Sequence, residues 1–231
     1  MIPPGGMEML ERYERNIPAL SEAECALLHA KTVAVIGCGG LGGYLIEFLA
    51  RLGIGSILCV DGDIFQKSNL NRQLLSTVSL LGTNKAQAAA NRVKAINPDV
   101  HVKAISAFLN EENARMIIKG CDAVLDALDN IPSRRILAQA CRTEKIPYIY
   151  GAIAGWVAQA AIYMPEDNWI EKLYPEDVVI KDKSALSFIP ALCAAMQVSL
   201  CTKVLTGRAV QTGKLHYADL LYEEYEHFPM N

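Results

Sequence analysis

Thr32-Val-Ala-Val-Ile-Gly-Cys-Gly-Gly-Leu-Gly-Gly43 carries the clearest structural pattern in the chain. Apolar, partly β-branched residues run into glycines at 37, 39, 40, 42 and 43, and helix-spaced Leu45, Ile46, Leu49 and Leu52 follow. The pattern predicts a strand, a tight turn and a helix. Glycine suits such a turn because a Cβ would resist its backbone angles and would keep a phosphate away from bare N–H groups at a helix start. The next apolar strand, Ser56 to Asp61, ends in an acid about twenty residues past the glycines, where dinucleotide folds place a carboxylate on a ribose hydroxyl. Strand, turn, helix, strand and terminal acid in that order predict a mononucleotide half-site. A ligand-free strand-helix crossing would rarely need five glycines.

Strands and helices alternate downstream. Thr83-Asn84 can cap a helix over Lys85 to Ile96, closed by Asn97-Pro98. Strands are expected at Val100 to Ala104, Ala123 to Asp126, Pro147 to Ala152 and Trp156 to Tyr163, and helices at Glu111 to Lys119 and Ser133 to Lys145. Such alternation implies a parallel sheet covered on both faces, with ligands beyond the carboxyl ends of the strands. Asp61, Asp126 and Asp129 fall there, as does the glycine turn. The fold class expected is α/β, a Rossmann-like three-layer arrangement with a mainly parallel sheet and a C-terminal antiparallel extension.

Four segments are expected. Residues 1–30 form an amphipathic helical lead, helix from residue 7, broken by Pro18 and the capping box Ser21-Glu-Ala-Glu24; its Glu11 to Asn16 face reads as solvated. Residues 31–164 form the nucleotide-binding part and 165–187 a charged, Pro-containing crossover loop. Residues 188–231, an apolar helix over Phe188 to Leu205 and a hairpin over Lys214 to Phe228, complete the same domain. Between Asp61 and the first capped helix, Gly62 to Gln73 is a polar, Asn-rich loop.

The 231 residues are enough for one large α/β domain, and 52% hydrophobic with 20% charged residues is ordinary for an enzyme. A formal net charge of −3 argues against a general nucleic-acid or membrane-surface binder. No apolar run is expected to span a membrane, and Met1-Ile-Pro-Pro-Gly-Gly6 lacks the layout of an export signal, so the expectation is cytoplasmic. Seven dispersed cysteines without a Cys-x-x-Cys pair read as reduced, mostly buried thiols, and with four scattered histidines they give zinc no support.

Taken together, Arg-Tyr-Glu-Arg15, Gly37-Cys-Gly-Gly-Leu-Gly42, Asp61-Gly-Asp63, Asn69-Leu-Asn-Arg-Gln73, Lys85 and Leu125-Asp-Ala-Leu-Asp-Asn130 resemble the ThiF/MoeB/HesA family of ubiquitin-activating-type adenylyltransferases. The match runs in family order from about residue 10 to 165, more loosely from 188 on. The resemblance implies that ATP activates the C-terminal carboxylate of a small ubiquitin-like sulfur-carrier protein, ending in Gly-Gly, as an acyl-adenylate with release of pyrophosphate. It also implies a homodimer. Positions matching Asp61 hold the ribose, those matching Arg72 and Lys85 bind the triphosphate, and Asp129 serves magnesium. Arg15 is donated to the neighbour's ATP. The catalytic set so implied is Arg72, Lys85, Asp129 and Arg15. Nucleotide contacts are expected from Gly37, Gly39, Gly40, Leu41, Gly42, Asp61, Asp63, Asn69, Arg72, Gln73, Lys85, Leu128, Asp129 and Asn130.

The chemistry agrees with the set. A carboxylate attacking an α-phosphorus is already ionised at neutral pH and needs no general base, so the site must supply positive charge and alignment. Plainer readings stand beside it: Asp126 and Asp129 could cap the helix at Ser133, Lys85 could be solvated, and Arg72 or Asn69 could brace their own loop. Zinc-binding relatives carry two Cys-x-x-Cys pairs that are missing here, so no zinc is expected. Relatives with a loop cysteine would place it near Ile180. Cys193, on an apolar helical pattern, reads as a buried thiol, which predicts an enzyme that stops at the adenylate. A tRNA threonylcarbamoyladenosine cyclising enzyme, an NAD-dependent oxidoreductase and a non-catalytic binding module are the alternatives.

Overall fold

The computed structural model describes residues 11–175, 178 and 184–230. The expected helix start at residue 7 and the position of Ile180 lie outside them. Strand β1 (Thr32–Ile36), helix α2 (Gly40–Leu52) and strand β2 (Ser56–Val60) follow helix α1 (Glu22–His29). Helix α3 (Lys85–Ile96), β3 (His101–Ile105), the short α4 (Ala114–Ile118), β4 (Ala123–Asp126) and α5 (Ile131–Glu144) come next. The chain ends with β5 (Tyr148–Ala154), β6 (Val157–Tyr163), α6 (Trp169–Leu173), α7 (Phe188–Thr206), β7 (Lys214–Asp219) and β8 (Glu224–Pro229).

All eight strands lie in one sheet, ordered β3-β2-β1-β4-β5-β6-β7-β8. The pairs from β3 to β5 are parallel and those from β5 to β8 antiparallel. Strand β1 sits between β2 and β4, its Ile36 opposite both Val60 and Asp126. The strand order reverses there, which opens a crevice at the carboxyl ends of these strands.

Two cores line the two faces. On one, Val33, Val35, Ile57 and Leu125 pack against α2, α3 and α7; on the other, Ala34, Ile36, Val124 and Tyr148 pack against α4, α5 and α6. The central strands therefore read as continuous apolar runs, as strands covered on both sides do.

Two expectations are corrected. The segment 165–187 contains α6, whose Trp169 and Ile170 are buried to 2% and 1% exposure; a helix of one and a half turns is too short to show a period. Helix α7 is also long and apolar enough, by length and composition alone, to cross a membrane. It packs against α2, β4, β5, β6 and α1, and a helix with neighbours on several sides has little need of a polar face. The N-terminal segment is held by Tyr13, whose hydroxyl accepts from Asn97 Nδ2 at 2.6 Å. Gly53, at φ +90°, leaves the space that the Tyr13 ring fills.

Candidate active site

The glycine turn leaves β1 through Gly37 at φ +99°, a backbone conformation that favours glycine. A Cβ there would lie 2.6 Å from the Ala127 carbonyl oxygen, and one on Gly42 would collide with the Gly37 carbonyl. These two glycines let α2 close onto the turn. Gly40 differs: a Cβ there meets nothing nearer than Pro190 Cγ at 3.7 Å. The fold leaves that surface bare at the first turn of α2, where amides have no acceptor within the helix and the helix dipole favours an anion.

Asp61, just past β2, ties this turn to the next loop. One carboxylate oxygen accepts from the Cys38 amide and the other from the Asp63 amide, both at 2.8 Å. Each oxygen keeps a second acceptor site. Asp63 in turn receives Lys85 Nζ at 2.6 Å, an ion pair whose lysine is 6% exposed. The Lys85 bond holds the Asp63 carboxyl below the usual carboxylate range. Lys85 opens α3 behind the N-cap Asn84, which accepts from the Gln87 amide at 3.1 Å. Arg72 donates to the Ser68 carbonyl and to Asn71 Oδ1 at 3.0 and 2.9 Å, so it braces its own loop while also facing the cavity.

Past β4 the chain turns through Ala127–Asn130 into α5. Neither Asp126 nor Asp129 caps that helix: Asn130 does, accepting from the Ser133 amide at 2.9 Å. Asp126 is fully buried and accepts from Arg134 Nη1 at 2.5 Å, the Tyr148 hydroxyl at 2.6 Å and the Leu128 amide at 2.8 Å. Burial pushes its carboxyl up, and Arg134 and the two other donors pull it back towards ionisation. Asp129, by contrast, is exposed, with Asn130 Nδ2 at 3.2 Å from its Oδ1.

These pieces enclose a cavity of about 400 Å³ beyond the carboxyl ends of β1, β2 and β4. Gly37, Gly39, Gly40, Leu41, Asp61, Asp63, Arg72, Gln73, Lys85, Leu128, Asp129 and Asn130 all line it. Gly42 and Asn69 do not. Gly42 is packed under the turn, and Asn69, 8% exposed, accepts from the Gln66 amide at 2.9 Å within its own loop. Arg15 is exposed in the turn Glu14–Asn16 and is not in this wall either. Phe108, Arg134 and Tyr174 line the cavity although the sequence reading assigned them nothing there. A buried aspartate at a strand end needs a counter-charge nearby, and Arg134, eight residues on, was the available signal.

The residues fit the groups that the resemblance implies. Arg72 and Lys85 put two cations beside a bare helix start, in a volume within the ~300–1,000 Å³ of small-molecule sites. Among the described residues no three His, Cys, Asp or Glu side chains form a metal cage. A cation at Asp129 would take its other ligands from phosphate and water, which is the habit of magnesium. Cys193 is buried, its Sγ near the Gln159 carbonyl at 3.2 Å and the Ala152 carbonyl at 3.7 Å, and burial pushes its thiol up to about 12. At neutral pH it is a protonated core thiol, not a nucleophile.

Comparison with known proteins adds the lineage. The model of the ThiF family matches residues 13–231. A "SAMP-activating enzyme E1" of Haloferax volcanii is 34% identical over 231 residues, covering 95% of this chain and 85% of that protein. A "Sulfur carrier protein adenylyltransferase" of Thermus thermophilus is 36% identical over 158 residues, 68% of this chain and 58% of that one. Among solved structures, the E. coli tRNA N6-threonylcarbamoyladenosine dehydratase, TcdA, superimposes with a TM-score of 0.74 at 25% identity, covering 86% of this chain and 95% of that chain. A family match over nearly the whole chain, with a relative at 34% identity across it, places this protein in the ThiF family.

Proposed function

We propose that the chain adenylates the C-terminal carboxylate of a small ubiquitin-like sulfur-carrier protein. One observation carries the reading: Arg72, Lys85 and Asp129 converge with the bare first turn of α2 on one cavity at the reversal of strand order. The carrier's carboxylate oxygen attacks the α-phosphorus, forming an acyl–O–P bond. The α–β bridge P–O bond breaks, and its electron pair leaves with pyrophosphate. No proton has to move, because the nucleophile is ionised and pyrophosphate departs as an anion.

Each residue has a share in that step. The α2 amides and Gly40 receive the phosphates closely, and Asp61 has acceptor capacity for ribose hydroxyls. Arg72 and Lys85 offset the charge that builds on the leaving pyrophosphate; Lys85 can do so by exchanging part of its bond with Asp63. Asp129 would hold a magnesium ion, which when bound neutralises phosphate charge and orients the leaving group. Relatives named for the SAMP and sulfur-carrier reactions, at 34% and 36% identity, support a protein carboxylate as the substrate. A Gly-Gly end suits a tail that must thread to the α-phosphorus, since glycine adds no side-chain bulk.

The working unit proposed is a homodimer, because Arg15, exposed in the turn Glu14–Asn16, lies outside its own chain's cavity. Seven free thiols suit a reducing compartment such as the cytoplasm. The likeness to the tRNA dehydratase keeps a modified tRNA carboxylate as a second reading; the net charge of −3 is against it. Carrier-dependent exchange of labelled pyrophosphate into ATP, with the mass of AMP added to the carrier, is the expected result. No exchange with any Gly-Gly-ended carrier, together with no ATP binding, would defeat the proposal. A gel shift with tRNA in place of carrier turnover would favour the second reading.

A further inference from the structure

Asp129 sits on a bend that is pinned at several points. Its start is held by the Ala127 amide donating to the Ile36 carbonyl at 2.9 Å and by the Leu128 amide on Asp126 Oδ1 at 2.8 Å. Its end is held by the Asn130 cap. The carbonyl in the middle, that of Leu128, immediately before Asp129, is taken by Arg134 Nη2 at 2.6 Å. The same guanidinium donates through Nη1 to Asp126 Oδ2 at 2.5 Å and to the Gly151 carbonyl at 2.7 Å. It is 4% exposed and lies 5.1 Å from the centre of the Tyr150 ring.

Two details separate this from an ordinary buried ion pair. Among the described residues Arg134 Nε is buried without a partner, so there the guanidinium forgoes one hydrogen bond while both terminal nitrogens reach the bend and the neighbouring strand β5. Only a planar fork of donors can span the Leu128 carbonyl, the Asp126 carboxylate and the Gly151 carbonyl at once; a lysine ammonium has one centre and cannot.

We infer that Arg134 is a positioning residue, which fixes the bend Ala127–Asn130 so that the Asp129 carboxylate faces the cavity at the place where a divalent cation and phosphate oxygens meet. The inference rests on the adenylation reading for the nucleotide and the metal, and goes beyond it in assigning Arg134. Arg134 borders the cavity, but its terminal nitrogens are spent on the Leu128 and Gly151 carbonyls and on Asp126, and it acts through the Leu128 carbonyl and Asp126. Preorganising a ligand in this way lowers the reorganisation that metal binding would otherwise require.

The test uses the full-length protein, α,β-methylene-ATP and Mn2+ as a paramagnetic probe, with bound Mn2+ counted by electron spin resonance. Arg134→Lys keeps a positive charge opposite Asp126 but drops the bond to the Leu128 carbonyl. It is expected to weaken Mn2+ binding in the nucleotide complex about five-fold or more, while nucleotide affinity in EDTA stays within about two-fold of the parent. Combined with Asp129→Ala, it should add nothing to the loss caused by Asp129→Ala alone. Unchanged Mn2+ binding, an equal loss of nucleotide affinity in EDTA, or full additivity with Asp129→Ala would each overturn the assignment. Should Arg134→Lys fail to fold, Asp126→Asn with Arg134→Gln removes the pair without leaving a buried charge and is read in the same way. A parent that binds the nucleotide alongside unchanged variants sinks only the role of Arg134; a parent that binds neither nucleotide nor Mn2+ sinks the adenylation reading as well.

Discussion

Gly37 and Gly40 are three residues apart in one turn and are glycines for different reasons. Alanine at 37 must adopt φ +99° and press on the Ala127 carbonyl, so Gly37→Ala is expected to cost about 3 kcal/mol in urea unfolding. Alanine at 40 has room and is a better helix former. Gly40→Ala should therefore keep or raise stability yet weaken ATP binding roughly ten-fold or more, because its methyl would stand where phosphate approaches; calorimetric titration checks this, and unchanged ATP affinity would remove the phosphate from that turn. Thiol chemistry is read at the same scale. Only Cys25 is half-exposed, the other cysteines being buried, and burial pushes Cys201, like Cys193, up to about 12. At pH 8 a thiol reagent should label Cys25 in the native protein and the rest only on unfolding; fast native labelling of Cys193 would contradict its role as core.

Helix α5 starts where the site needs Asp129, so its cap matters to both stability and geometry. Asn130→Ala loses the bond to the Ser133 amide and should cost about 1 kcal/mol, a fall of roughly 2–4 °C in Tm. Helix α7 contributes Gln197, fully buried, whose Nε2 donates to the Asp126 and Ile149 carbonyls at 2.9 Å each. It fills the space that the missing side chain of Gly151 leaves open. Gln197→Leu would strand two buried acceptors, an expected loss of about 2–3 kcal/mol by chemical denaturation. The β7–β8 hairpin carries its own pH response. His216 stands opposite His227, ring centres 4.6 Å apart. Burial lowers the His216 pKa, and His227, Lys214 and Lys203 lower it further. A depressed histidine contributes stability above its unfolded value of about 6.5, and that contribution is lost as pH falls through the lower folded value. Protection factors of the β8 amides, taken against the intrinsic exchange rate at each pH, should therefore fall between pH 7 and 5, and His227→Asn should lessen the change.

At the scale of the whole molecule, each chain holds a cavity and, some distance along the sequence, an arginine that the cavity does not use. Tyr13, locked between Gly53 and Asn97, fixes the start of the segment that presents Arg15. If two copies complete each other's sites, Arg15→Ala and Asp129→Ala proteins should each be nearly inactive. Mixed and allowed to exchange subunits, they should recover about one quarter of parent pyrophosphate exchange, one intact site in each of half the dimers. No recovery from a mixture shown to contain heterodimers would place Arg15 outside the neighbour's site.

Much of this was legible in the chain itself. Apolar runs, glycines and terminal acids gave the order of strands and helices, because periodicity and turn chemistry are local properties. The same locality made the glycine turn, Asp61, Asp126 and Asp129 visible as candidates at the strand ends, whereas Lys85 and Arg72 were singled out by the family resemblance. It could not separate the glycines that close the turn from those open to a ligand, nor show that Asn130 rather than an aspartate caps α5. It likewise left Arg134 and Gln197 unassigned and α6 unseen. Those outcomes depend on what stands across the fold: a carbonyl of Ala127 beneath Gly37, Gly151 opposite Gln197, a buried Asp126 neutralised by Arg134. Local pattern along the chain was enough to set which elements form and what chemistry they bring to the strand ends. Only the tertiary structure decided which of those groups face the cavity and which are spent holding it in shape, since burial and hydrogen-bond partners are set by residues distant along the chain.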